Sequence, residues 1–505
     1  MSKEAMDRPI DVVVAGGGIG GLALSITLAR SGRRVTMIER RPDGAFRLGE
    51  SLDWEAPIFL RRLGVEVQSL VDDGKATWKP GAVCTNPSHP GVEAELGFSR
   101  LFRACMWIVG RGKPTIHANR EAVDGDLFAL ARAEGVEILT ARISTVRTEG
   151  DRVTSVVLAD GSVVEGRFFV DATGSAAMFR RAFQIGFTPI GPRKVVVRAR
   201  FPHPYDGMGT RIRTDDSLST PCWIWDINIS NTITDLGVVV AEGDFALLKR
   251  RLGSLESVFL HLTNKHADLA WLSPLVDETT NLWTCVFQDG VAHRSSGANW
   301  IAVGESAFVV DGLLSSGFTS ALRQGLSAAA ILEDALGREA PELCPRKRDF
   351  HHRKISAHVR TIDGLIDVLW YRGRIRERWS LLLNVASILF FNFNLNHIHT
   401  RWLPQSELGL RALLLLHHAI DAFVPRFAAA LEWLGPRLGR AAHRPTKDQL
   451  VAELTVDTTS PPCASLEAAP VSRTRAPTAL RTRTATRTGV TRRLGQATSR
   501  TRRRQ

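Results

Sequence analysis

The sequence predicts an α/β protein: a doubly wound, Rossmann-like nucleotide-binding domain with an inserted β-sheet domain and a helical C-terminal region. Three observations carry this. Residues 11–39 hold a strand, a glycine turn, a helix, a second strand and an acid in the order a dinucleotide clamp requires. β-type runs crowd between 190 and 290, and a further strand, turn and helix follow residue 300.

Taken in order, Val12 to Ala15 is an apolar run suited to a buried parallel strand, ending where glycines let the chain turn and a pyrophosphate approach the backbone. Gly16, Gly18 and Gly21 fit G-x-G-x-x-G, with Gly20 in the same turn. Leu22 to Arg30 reads as a helix whose N-terminal amides face the phosphates. Val35 to Ile38 is the second strand, followed by Glu39 as ribose acceptor and by Arg40. Residues 42–115 are punctuated by Pro and Gly and predict an irregular, loop-rich insertion facing substrate. Residues 120–134 predict a helix, and strands follow at 136–139, 153–158 and 167–171, with a hairpin signal at Asp160-Gly161. Strands are also predicted at 194–201, 223–229, 237–241 and 282–288. A strand at Trp300 to Gly304, a helix over 317–335 and a helical, aromatic-rich stretch over 341–442 complete the pattern.

The predicted domains are 1–185, with the insertion near 42–115; a β-rich substrate domain, 186–298; a return to the nucleotide-binding domain, 299–337; a helical region, 338–442; and a tail, 443–505. The net charge of +13 suggests a nucleic-acid binder until its location is considered. Residues 471–505 hold 11 Arg and no Lys, Asp or Glu, so removing them leaves +2 over the first 470 residues. The tail is too poor in large apolar residues to bury a core, and is expected to be disordered. No nucleic-acid partner is expected.

Six cysteines without C-x-x-C spacing support neither a metal knuckle nor a disulfide framework, and no signal-peptide core precedes the first strand. A reduced, cytoplasmic protein is expected. His351-His352 and His397/His399 lack a carboxylate at ligand spacing, so no metal is expected. Leu381 to Phe391 is too short and interrupted to span a bilayer; it predicts a buried helix, with peripheral membrane contact through it and Leu408 to Leu416 as the other reading.

The order of the glycine clamp, Val170-Asp171-Ala-Thr-Gly174 and Val303-Gly304-Glu305-Ser306 resembles FAD-dependent oxidoreductases of the para-hydroxybenzoate-hydroxylase class, over roughly residues 10–335. That resemblance implies a GR2-type FAD-binding domain, with Arg120, Asp171, Gly174, Gly304 and Glu305 along the cofactor. Glu305 stands where the family carries Asp. Three segments resemble the flavin-dependent halogenase branch. Gly49-Glu50-Ser51 with Lys79 in Lys79-Pro-Gly81-Ala matches the segments implying Glu50 and Lys79 as catalytic. Trp223-Ile-Trp225-Asp-Ile227-Asn228 resembles the W-x-W-x-I-P motif, which implies that Trp223, Trp225 and Ile227 separate substrate from flavin; here Asn replaces Pro. Asp311-Gly312-Leu-Leu-Ser315-Ser316-Gly317-Phe318 resembles D-P-x-x-S-x-G, implying Gly317 and Phe318 at the flavin and halide at Ser316 and Gly317.

The resemblance implies FADH₂ from a separate flavin reductase, halide as co-substrate, a flavin C4a-hydroperoxide, and hypohalous acid steered by Lys79 to an electron-rich phenol-, pyrrole- or indole-like ring, free or tethered to a carrier protein. The other readings are an NAD(P)H-dependent FAD monooxygenase, a geranylgeranyl-type prenyl-lipid reductase, and a flavin-binding scaffold without turnover.

Overall fold

The structure, a computed structural model, describes residues 9–42, 48–86, 93–97, 115–202 and 209–371, with scattered helical positions between 415 and 434. Its first sheet is parallel and five-stranded, in the order Trp300–Ala302, Phe168–Asp171, Val12–Ala15, Val35–Glu39, Glu137–Thr140. Both faces are covered: Val12, Val14, Phe168 and Val170 pack into one core, and Val13, Ala15, Phe169 and Trp300 into another. Two-sided burial is why these strands read as continuous apolar runs instead of alternating ones. In register, Ala15 lies opposite Asp171 and Asp171 opposite Ala302, so three glycine-bearing turns leave the same C-terminal edge.

The two strand-turn-helix units are locked together by their helices, Ile19–Arg30 and Gly317–Gly337. A Cβ on Gly325 would overlap the carbonyl of Gly20, and one on Gly20 would stand 2.9 Å from the Ala321 carbonyl. Both positions therefore need glycine for close helix packing. The Asp160-Gly161 hairpin forms as expected, with Gly161 at φ +89° between antiparallel strands Arg152–Leu158 and Val163–Val164.

A second, seven-stranded sheet runs Trp283–Phe287, Lys194–Phe201, Thr234–Ala241, Cys222–Asn228, Thr210–Asp215, Gly81–Thr85, Glu93–Gly97. Its last two strands correct the loop-rich reading of 42–115. That segment also supplies helices Ala56–Arg62 and Val67–Asp72 and the strand Ala76–Lys79. The short strands were hidden because the Pro and Gly between them broke up the alternation on which a strand is recognised. Ala76–Lys79 pairs with Thr115–Ala118 in a two-stranded ribbon, which sets Lys79 beside Thr115. Helix Pro345–Ile366 ends in a wide π-type turn, Asp367–Tyr371. The rest of the expected helical region lies largely outside the described residues, and the 443–505 tail wholly so. No helix among the described residues is long and apolar enough to cross a membrane.

Candidate active site

The C-terminal edge of the parallel sheet is where an α/β fold leaves a crevice for ligands. Gly16 turns there at φ +89°, and a Cβ on it would meet the Ala172 carbonyl at 2.6 Å. Gly18 opens helix Ile19–Arg30 in extended geometry without a side-chain cap, and the first turn holds no acid. The uncapped amides and helix dipole suit a phosphate. Gly21 packs against Ala172, the role of the third glycine in this fingerprint. Glu39 ends the second strand within the same turn, accepting from the amides of Gly17 at 2.7 Å and Arg41 at 3.0 Å. Arg40 is exposed. This uncapped glycine cradle with a carboxylate at its lip fits the adenosine diphosphate half of FAD.

At the neighbouring turn Asp171 is fully buried, and its oxygens accept from Thr173 Oγ1 (2.6 Å), Ser306 Oγ (2.9 Å) and the Phe179 amide (2.7 Å). Asp171 therefore ties the Ala172–Gly174 turn to the Gly304–Ser306 turn. Gly174 (φ +64°) and Gly304 (φ +63°) both take left-handed backbone. The exposed Glu305 carboxylate projects toward Gly174. Opposite them, Arg120 is buried against Asp124 (2.9 and 3.0 Å), donates to the Leu48 carbonyl at 2.8 Å, and lies 4.9 Å over the Phe318 ring. One guanidinium thus joins the segment before Glu50 to the start of helix Gly317–Gly337.

Lys79 is the most telling residue. Its ammonium is buried and donates to Ser51 Oγ (2.8 Å), the Leu52 carbonyl (3.1 Å) and Ser315 Oγ (3.2 Å), with the Trp54 ring 5.8 Å away. Burial lowers it to about 8, opposed by nearby Asp53. Three segments far apart in sequence therefore converge on one cation: Gly49-Glu50-Ser51, the Lys79 strand and the Ser315-Ser316 loop. Ser315 holds a left-handed φ of 59°, a conformation costly for a residue with a Cβ. Ser316 is buried and starts the Gly317–Gly337 helix without a side-chain cap.

Glu50 does not reach this cluster as a free acid. It is buried and ion-paired to Arg198, which also holds Asp235 at 2.7 Å, with Arg200 at 3.6 Å from Glu50. Burial and the Asp235 charge push Glu50 up to about 7, against the pull of Arg198. Trp223 and Trp225 share one side of their strand, ring centroids 5.7 Å apart; Trp223 and Ile227 are buried and Trp225 is half-buried. Trp225 Nε1 donates to Asp235 Oδ1 at 2.7 Å, and Trp223 Nε1 to Tyr371 Oη at 3.0 Å. Tyr371 in turn donates to Asp311 Oδ2 at 2.8 Å, and Asp311 Oδ1 accepts from the Leu313 amide at 2.8 Å. Asn228, in place of the motif's Pro, is an ordinary ladder partner of Thr234, and its side chain accepts from Thr234 Oγ1 at 2.8 Å.

The sequence had not singled out Arg198, Asp53 or Tyr371. An Arg inside the apolar run Val195 to Ala199 was the available signal for the first, since a charge at a core position needs partners. Asp53 accepts from the Glu55 and Ala56 amides at 3.1 Å and from Thr319 Oγ1 at 2.5 Å, tying the Lys79 neighbourhood to helix Gly317–Gly337. His351 and His352 are hydrogen-bonded to Ser327 and Ser295, and no metal-holding cluster occurs among the described residues. His397 and His399 lie outside them.

Comparison with known proteins bears on the family and the fold. A family model for tryptophan halogenase matches residues 108–366, just over half the chain, and one for NAD(P)-binding Rossmann-like domains matches 14–53. The chain is 25% identical over 382 residues to a tryptophan 2-halogenase of Chondromyces crocatus, covering 69% of this chain but only 65% of that protein, just under two thirds of its length. It is also 25% identical over 403 residues to a menaquinone reductase of Mycolicibacterium smegmatis, covering 75% and 91%. In fold it resembles the flavin-dependent brominase Bmp2 with a TM-score of 0.66 at 18% identity, covering 82% of this chain and 98% of that one. The sheet order, the shared glycine-bearing edge and the family match lead to one conclusion: the chain belongs to the tryptophan halogenase family of flavin-dependent halogenases, enzymes of the FAD-dependent oxidoreductase type.

Proposed function

We propose that the protein halogenates an electron-rich phenol-, pyrrole- or indole-like ring, using FADH₂ delivered by a separate flavin reductase, O₂ and halide. The observation that supports this reading is the buried Lys79 ammonium, held by Ser51, Leu52 and Ser315 where the cofactor edge meets the seven-stranded sheet. Bound FADH₂ with O₂ would supply the oxidising equivalents that turn halide into hypohalous acid. Gly16, Gly18, Gly20, Gly21, Glu39 and Arg40 would hold the adenosine diphosphate half. Arg120, Asp171, Gly174, Gly304, Glu305, Gly317 and Phe318 would line the ribityl and ring half. The Ser316 and Gly317 amides would receive halide.

Lys79 Nζ would donate a hydrogen bond to the oxygen of hypohalous acid and turn its halogen toward the ring. As the ring carbon bonds to halogen, the halogen–oxygen bond breaks and Nζ passes its proton to the departing oxygen, giving water. The neutral amine then takes the ring proton. A group lowered to about 8 suits both steps near neutral pH. Trp223, Trp225 and Ile227 would wall the ring away from the cofactor. Glu50, whose motif suggests catalysis, takes a positioning role because its carboxylate is engaged by Arg198.

A second reading, a prenyl-lipid reductase, is favoured by the alignment over 91% of a menaquinone reductase's length. The test supplies enzyme, reduced FAD, O₂ and bromide to a panel of phenols, pyrroles and indoles. Brominated product with wild type and none with Lys79→Ala supports the proposal. Hydroxylated product independent of bromide assigns a monooxygenase. Double-bond reduction of an isoprenoid quinone under anaerobic conditions assigns the reductase.

A further inference from the structure

Helices of water-soluble domains turn polar residues outward. The described helical positions between 415 and 434 do the opposite. Leu415, Phe423, Trp433 and Leu434 are 72, 48, 58 and 38% exposed, and Phe427 stacks on Phe423 with centroids 5.2 Å apart. Leu415, Phe423, Phe427 and Leu434 follow one another at eight, four and seven residues, which is helical spacing, and Arg426 is the one charged residue among the described positions. An outward apolar stripe of this kind needs a cover.

We infer that this stripe docks the protein, lying flat, onto an anionic lipid surface. Charge identifies the occupant. Residues 411–444 carry five Arg against one Asp and one Glu, and residues 471–505 carry 11 Arg with no acid. An apolar face of Leu, Phe and Trp accompanied by Arg is the composition of an interfacial helix, where aromatic rings enter the headgroup boundary and guanidinium groups meet lipid phosphates. The chain-borne Arg would act as a second attachment, each one reaching the surface strengthening binding about fivefold. A partner of matching apolar shape but no charge would leave the arginines unexplained. The inference is independent of halogenation and needs no turnover.

The test floats full-length, FAD-loaded protein with vesicles of phosphatidylcholine alone, or with about 30 mol% phosphatidylglycerol. The expected result is co-flotation with the anionic vesicles, at least roughly tenfold weaker with neutral ones and in 1 M salt. A Phe423→Asp/Trp433→Asp protein should lose flotation by a similar factor while retaining FAD and its melting transition. Brominated lipid should quench wild-type tryptophan fluorescence, and that quenching should drop in Trp433→Phe. Wild type that stays with neither vesicle, or a double variant that floats like wild type, overturns the inference. Self-association of wild type abolished in the double variant would overturn it too, assigning the stripe to a second copy.

Discussion

Replacing Lys79 by methionine separates a catalytic ammonium from a structural one. Burial lowers the Lys79 ammonium from 10.5 to about 8, so at neutral pH the folded protein holds a charge it disfavours relative to the unfolded chain. At about 1.4 kcal/mol per unit, that is about 3 kcal/mol carried against stability. Methionine keeps the stem volume and removes the charge, while the Leu52 carbonyl loses a donor at a cost of about 1 kcal/mol; Ser51 and Ser315 already bond each other at 3.0 Å. Lys79→Met should therefore be about 1–3 kcal/mol more stable than wild type in urea unfolding at pH 7, retain FAD, and lose halogenation. A stabilised protein without product is what a functional charge in a buried site predicts. Destabilisation by several kcal/mol would refute the reasoning, because it would make Lys79 a structural ion, and unimpaired product formation would refute its assigned role.

Further outcomes follow from the same contacts. Arg198→Met leaves Glu50 and Asp235 buried together with the more distant Arg200, at 3.6 and 3.5 Å, and should cost about 3 kcal/mol by denaturant unfolding, the low end for a broken buried ion pair; Glu50→Gln, which leaves Arg198 on Asp235, should cost far less. Tyr371→Phe removes the acceptor of Trp223 Nε1 and the donor to Asp311, and should cost about 1–3 kcal/mol while raising peroxide release per reduced flavin, measured by coupled peroxidase assay. The stability of Glu50→Gln relative to wild type should also rise by about 0.7 kcal/mol between pH 6.5 and 7.5. Glu50 is raised to about 7, so the folded wild type binds a proton that the unfolded chain has already lost, and that advantage disappears as pH rises through 7. Asp289, also raised to about 7, His266 and His351, lowered to about 4 and 3, and Lys79 and Lys354, lowered to about 8, are common to both proteins and drop out of the difference. Urea unfolding of both proteins at the two pH values, with that difference unchanged or falling, would contradict this.

Much of the fold was legible because its signals are local. The glycine clamp, the Asp160-Gly161 hairpin and the apolar strands at 12–15 and 168–171 each lie within a few residues. What the sequence concealed depends on contacts across the fold. Strand Gly81–Thr85 pairs with Thr210–Asp215, more than 120 residues later, and short strands interrupted by Pro and Gly carry little periodicity. The site divided likewise. Lys79 and Glu50 stood out by motif, but only the folded chain shows that Lys79 meets Ser315 and that Glu50 is engaged by Arg198. Tyr371 was hidden because its partners, Trp223 and Asp311, lie 148 and 60 residues away.

Halogenation is tested most directly by mixing reduced, FAD-loaded enzyme rapidly with oxygenated buffer, with and without bromide, and following flavin absorbance. A portion is gel-filtered and then given an aromatic ring. Bromide should alter the time course of flavin reoxidation in wild type and Lys79→Ala alike, and wild type alone should retain an oxidant able to brominate the ring added afterwards. Reoxidation indifferent to bromide in both proteins would contradict halogenation, and equal retention of the oxidant by both would contradict the role of Lys79.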